Sequence, residues 1–137
     1  MKQLSKNFTF EEMIASPTAT SKKIDNTPTA EIVKNIQKLV DNTLQPARDL
    51  YGKLVRVNSG YRSPELNKAI NGAANSQHMQ GKAADITGGN PTENKILFDL
   101  ICKSNIPYDQ LIDEQNYQWI HVSYNEGNNR KQILHLK

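Results

Sequence analysis

The chain opens with helical spacing. Thr9-Phe10-Glu11-Glu12-Met13-Ile14 places a capping threonine three residues before an acid, the capping-box arrangement that starts a short helix. Pro17 to Pro28 is polar and carries turn residues, which predicts a surface loop. From Thr29 to Tyr51 the apolar residues Ile32, Val33, Ile36, Leu39, Val40, Leu44, Ala47 and Leu50 recur at helical intervals. One face of a long helix should therefore be buried. Pro46 should kink or divide it, since proline has no N–H to donate and its ring crowds the preceding turn. Gly52 should end it.

Beyond Gly52 the period shortens. Leu54-Val55-Arg56-Val57-Asn58 alternates like a strand and stops at Ser59-Gly60. Pro64 to Ile70 reads as a short helix with proline in its first turn, closed by Asn71-Gly72. Lys82 to Thr87 predicts a strand that runs into the turn Gly88-Gly89-Asn90-Pro91. Asn90, Pro91 and Glu93 then form a helix start, with Ile96, Leu97, Leu100 and Ile101 as the expected buried stripe. Three further strands are predicted around Gln110-Leu111-Ile112, Trp119 to Tyr124 and Gln132 to Leu136, with Asn125 to Asn129 as a hairpin turn between the last two. Helices first and an antiparallel run last predict an α+β class, N-terminal helices packed on a small, mainly antiparallel sheet. A length of 137 residues suits a single domain with one core.

Composition narrows the function classes. The hydrophobic and charged fractions of 36% and 23% argue against a disordered chain, and no stretch approaches the roughly 20 apolar residues needed to cross a bilayer. A formal charge of +3 without a Lys/Arg run gives no nucleic-acid footprint. The basic start Met1-Lys2-Gln3-Leu4-Ser5-Lys6 lacks a following apolar segment, so the expected location as synthesised is cytoplasmic. The one cysteine, Cys102, excludes an internal disulfide, and its neighbours Leu100 and Ile101 predict a buried thiol. A monomer is expected.

Three histidines are present, and two have informative surroundings. His78 lies in Ser76-Gln77-His78-Met79-Gln80-Gly81-Lys82-Ala83-Ala84-Asp85, a loop that turns at Gly81 and enters the strand carrying Asp85. His121 sits between Ile120 and Val122, whose burial should direct the imidazole to the opposite face of its strand. Two imidazoles and a carboxylate supply three N/O ligands and leave a fourth position open, which is how a catalytic zinc site is built. Spacing alone leaves hydrogen-bonded structural histidines as the other reading.

The surrounding residues point further. Ser76-x-His78-x-x-Gly81-x-Ala83-x-Asp85, preceded by Ser59-Gly60-Tyr61-Arg62-Ser63 and followed by Trp119-Ile120-His121-Val122, resembles the zinc D-Ala-D-Ala carboxypeptidase family. That family includes cell-wall-cleaving phage endolysins and shares its zinc fold with the hedgehog signalling domain. Phe8 to Glu12 and Asp25-Asn26-Thr27-Pro28 extend the likeness over nearly the whole chain.

The resemblance implies Zn²⁺ held by His78, Asp85 and His121, with Arg62 contacting substrate near the metal. A planar guanidinium suits a carboxylate because it donates two parallel hydrogen bonds. Ser76 would line the same pocket or hold its loop. Many relatives carry an acid three residues before the last zinc histidine; here that residue is Gln118, which cannot take a proton. In the branch of the family that this sequence resembles, a Glu follows the Asp-Gln-Leu-Ile segment; by that resemblance Asp109-Gln110-Leu111-Ile112-Asp113-Glu114 supplies Glu114 as the expected general base, with Asp113 in reserve. Asp109 and Gln110 are expected to orient a ligand or hold the sheet, and His135 is read as structural. The implied activity is hydrolysis of a peptide bond in peptidoglycan stem peptides, by a carboxypeptidase or endopeptidase acting on the wall after release. The alternative is an inactive zinc-stabilised wall-binding or virion-structural module.

Overall fold

In the computed structural model, residues 2–137 are described; Met1, where the basic N-terminal segment begins, lies outside them. Helix α1 (Phe10–Ile14) starts at Thr9, whose Oγ1 accepts the Glu12 N–H. The stretch expected to be loop begins instead with a second helix, α2 (Pro17–Ser21). Ser16 accepts the Ala19 N–H and Pro17 occupies the first turn, so a cap-and-proline start overrides the turn-like composition.

The long apolar period folds as α3 (Ala30–Leu39) and α4 (Gln45–Tyr51), joined without a break by a π-helical turn, Val40–Leu44. Gln45 N–H reaches back to Val40 O. Widening the helix just before Pro46 makes room for a ring that a regular α-turn would crowd, so the proline alters the winding without dividing the helix. Leu50 falls on the solvent side of α4.

Strand β1 (Arg56–Ser59), helix α5 (Pro64–Ala69), strand β2 (Ala83–Thr87) and helix α6 (Pro91–Cys102) follow, then β3 (Gln110–Glu114), β4 (Trp119–Ser123) and β5 (Gln132–Leu136). In α6 the buried face is Asn94, Leu97, Phe98 and Ile101; Ile96 is exposed, one step round the helix from the expected stripe. Cys102 ends α6 half-buried rather than enclosed, and partial burial pushes its thiol upward from the ordinary range.

The sheet order is β1-β2-β4-β3-β5. All pairings are antiparallel except β3 with β5. The expected hairpin between the last two strands therefore does not form. Both edges of β4 are taken, one by β2 and the other by β3, so the chain crosses the end of β3 and adds β5 in parallel on its far side. The Asn125 to Asn129 segment still turns, with Asn128 N–H on Asn125 O. One face of the sheet, including Ala84, Ile86, Leu111, Ile120 and Val122, closes the core against Met13, Ile36, Leu44, Leu97 and Ile101. No helix among the described residues is long and apolar enough to cross a membrane.

Candidate metal centre

His78 reaches the site on a 3₁₀ turn, Gln77–Gln80. Ser76 opens the turn by accepting the His78 N–H on its Oγ at 3.1 Å, and it also borders the cleft. Gly81 closes the turn at φ 72°, where a Cβ would be strained and would press on Ile32 and Ile36. The chain then enters β2, and Asp85 lies directly opposite His121 of β4. Opposed residues share a sheet face. Ile120 and Val122 are buried on the core side, which leaves His121 on the open one.

A β-bulge at Asn58 shifts the β1 register so that Ser59 faces Asp85. Gly60 follows, packed so closely on Met13 O that a Cβ there would collide with it. Its carbonyl accepts a hydrogen bond from His78 Nδ1 at 2.7 Å. That bond fixes the tautomer and turns Nε2 toward Asp85, the usual service of a carbonyl behind a metal-binding imidazole.

The three donor atoms form a nearly equilateral triangle. His121 Nδ1 is 3.1 Å from Asp85 Oδ1, His78 Nε2 is 3.3 Å from the same oxygen, and the two nitrogens are 3.3 Å apart. The edge of a tetrahedron is about 1.6 times its centre-to-vertex distance, so these edges fit metal bonds of about 2.0 Å, the length zinc makes to His and Asp. The donor types and the free fourth direction also suit zinc. Burial alone would raise the Asp85 carboxyl, but hydrogen bonds from His121 and His78 hold it well below the usual carboxylate range. It is an anion, as a metal ligand must be.

Arg62 adjoins this triangle. Its Nη2 lies 3.5 Å from Asp85 Oδ2, its Nε donates to Ser59 Oγ at 3.2 Å and its Nη1 to Asn67 Oδ1 at 3.1 Å. Burial pulls its guanidinium down while Asp85 and Glu114 oppose that pull. Arginine nonetheless stays protonated.

Glu114, Ile112, Ser76 and His121 border one cleft of about 310 Å³. Burial raises the Glu114 carboxyl above the ordinary glutamate range, helped by Asp85 and opposed by His121, His78 and Arg62. Asp113 cannot serve as a reserve base. Strand alternation sends it to the opposite face, where its Oδ2 meets His135 Nδ1 at 2.6 Å and its Oδ1 accepts the Tyr117 N–H at 3.1 Å. His135 is accordingly the structural residue expected. Gln118 is exposed in the turn that follows β3.

Several further contributors are marked in the sequence only faintly or not at all. Asn26 Nδ2 donates to Ile14 O and Tyr61 O, and its Oδ1 accepts the Ser63 N–H, so it holds the backbone on both sides of Arg62. Asn67 braces the guanidinium. Asp109 is buried, bonded through both oxygens to Arg130 and through Oδ2 to Gln77. Of these, Asn26 carried a signal through the family resemblance of Asp25-Asn26-Thr27-Pro28, and Asp109 was expected to orient a ligand or hold the sheet; Asn67 and Arg130 carried none.

The comparisons agree with the geometry. The zinc D-Ala-D-Ala carboxypeptidase of Streptomyces albus G is 47% identical over 47 residues, a stretch covering 34% of this chain and 18% of that protein. The chain thus matches less than a fifth of the length of that curated relative. The family described as Peptidase M15 matches residues 6–123, a span that takes in His78, Asp85, His121, Arg62 and Glu114. The chain belongs to the peptidase M15 family.

Proposed function

We propose that this protein is a zinc-dependent peptidase that hydrolyses a peptide bond in the stem peptides of peptidoglycan. The observation that carries the reading is the triangle of His78 Nε2, Asp85 Oδ1 and His121 Nδ1, with edges of 3.1 to 3.3 Å, at the wall of a cleft that also holds Glu114. The named relative, a D-Ala-D-Ala carboxypeptidase, supports the choice of cell-wall peptide. Both carboxypeptidase and endopeptidase action are compatible with the site.

A zinc ion bound by the three donors would supply a Lewis acid and lower the pKa of the attacking water. The chain's own residues divide the remaining work. Glu114, whose carboxyl burial shifts upward, takes a proton from water and delivers it to the departing amine; such a carrier contributes roughly 10²–10⁴ in rate. Arg62, already braced by Ser59 and Asn67, orients the peptide through its carboxylate or carbonyl oxygen without spending further side-chain freedom.

The test uses purified sacculi. Zinc-loaded protein should release new amine ends, chelation should abolish release, and Glu114→Gln should keep the metal while losing about 10²–10⁴ in rate. His78→Ala and His121→Ala should each lose bound zinc. Stoichiometric zinc in both variants, or release that survives complete chelation, would overturn the reading. Zinc binding with no release from any sacculus would favour an inactive wall-binding module.

A further inference from the structure

The cleft that begins at Glu114 continues along β3 and ends at Arg130, past Gln110 and Gln77. Arg130 lies near the end of the loop from β4 to β5, so the crossover that moves β5 to the outside of the sheet also brings this guanidinium to the cleft. It is held unusually firmly for a residue whose side chain is 52% exposed. Its backbone N–H and Nε donate to Asp109 Oδ1 at 3.0 and 2.8 Å, and Nη2 donates to Oδ2 at 2.9 Å. Gln77 Nε2 braces the same carboxylate at 2.9 Å. Asp109 occupies the Nε/Nη2 edge of the guanidinium, and Nη1 makes no hydrogen bond among the described residues. The Nη1/Nη2 edge is therefore left to receive a second planar anion.

We propose that Arg130 is a substrate-positioning residue that receives a carboxylate carried two to three residues away from the scissile bond. The proposal rests on the peptidase reading above and adds a specificity to it. Ile112 pairs with His121 at the metal donors. Gln110 and Asp109 lie two and three residues back from Ile112, at and just before the start of β3, roughly 7–10 Å at strand rise. An extended peptide at about 3.3–3.6 Å per residue covers that distance in two to three residues. Arg62, which touches Asp85, serves the position beside the scissile bond; Arg130 reads a more distant one. Because Asp109 has already fixed the guanidinium, little side-chain entropy remains to be lost when the second anion binds.

Two synthetic peptides of identical sequence provide the test, one with a free carboxylate two or three residues from the scissile bond and one with the carboxamide in its place. The group is placed on the amino side in one pair and on the carboxyl side in another. Binding is measured by titration calorimetry on zinc-loaded Glu114→Gln protein, and cleavage is measured separately on the parent enzyme. One pair should show about tenfold or greater preference for the carboxylate, the scale of a charge-assisted bidentate contact that is partly solvated. Adding Arg130→Gln should collapse that preference to about one.

The double change Asp109→Asn with Arg130→Gln, which avoids a buried unpaired carboxylate, should collapse it equally. A preference that survives both, or a ratio of one for both pairs in the Glu114→Gln background, overturns the proposal. Arg130-dependent preference without cleavage of any peptide would sink the peptidase reading and with it the positioning role, leaving Arg130 as a carboxylate contact of a binding module. Cleavage with an Arg130-independent preference would overturn this proposal and leave the peptidase reading standing.

Discussion

Asp113→Ala tests how the end of β3 is held. Gln115, Asn116 and Tyr117 have φ of 49°, 56° and 67°, three successive non-glycine residues in the left-handed region, where each L-residue costs roughly 1–2 kcal/mol. Something must hold the turn, and Asp113 is its main brace. Its Oδ1 accepts the Tyr117 N–H, while Gln118 N–H bonds Glu114 O and Gln115 N–H bonds Leu136 O. Removing the carboxylate forfeits a hydrogen bond to a charged acceptor, about 1.5–3 kcal/mol. It also removes the contact with His135, whose side chain is 58% exposed and whose share is therefore under about 1 kcal/mol.

The expected loss is about 2–4 kcal/mol. At about 3–5 °C per kcal/mol for a chain of this length, Tm should fall by roughly 6–20 °C. The assay is thermal and urea unfolding of the metal-saturated protein, with His135→Ala as control. That control should cost under about 1 kcal/mol, and Asp113→Asn should lie between, since an amide oxygen still accepts from Tyr117. An Asp113→Ala variant within about 0.5 kcal/mol of the parent, or a His135→Ala variant just as damaging, would refute the assignment of the turn to Asp113.

The Asp109 carboxyl is held down to about 2, chiefly by its hydrogen bonds from Arg130. A depressed carboxylate favours the folded state above its unfolded pKa of about 3.9, and that stability is lost as pH falls from about 4 toward 2. After discounting for the solvated Arg130, the share is about 1–2 kcal/mol, so Asp109→Asn should flatten the acid limb of Tm against pH. Gly60→Ala should cost at least about 2 kcal/mol and weaken zinc binding in a competition titration, because the new Cβ would meet Met13 O and displace the carbonyl that orients His78. Asn26→Ala removes the donors and acceptor that bind Ile14 O, Tyr61 O and Ser63 N–H. It should lower stability by about 2–3 kcal/mol in urea unfolding and reduce kcat/KM on a stem peptide, with zinc content unchanged; full activity would show that Arg62 does not depend on this brace.

What the sequence determined by itself was local, because capping, turn chemistry and alternation act over a few residues. Thr9, Ser63 and Asn90 start helices where their side chains cap the following N–H groups. Gly81 turns the chain between His78 and Asp85 because a left-handed φ is required there. The burial of Ile120 and Val122 sends His121 to the open face. These features, with the family resemblance, were enough to name the three candidate metal donors.

The tertiary structure decided what depends on residues distant in sequence. Alternation distinguishes Asp113 from Glu114 only after α6 has covered one face of the sheet, and then it sends one carboxylate to His135 and the other to the cleft. The apolar pattern of β5 is the same whether it pairs with β4 or with β3. Occupation of both β4 edges settled the choice, and the crossover that resulted carried Arg130 onto Asp109 at the end of the cleft. The spacing from 109 to 130 has no local physical meaning, so no periodicity or cap could have announced that contact.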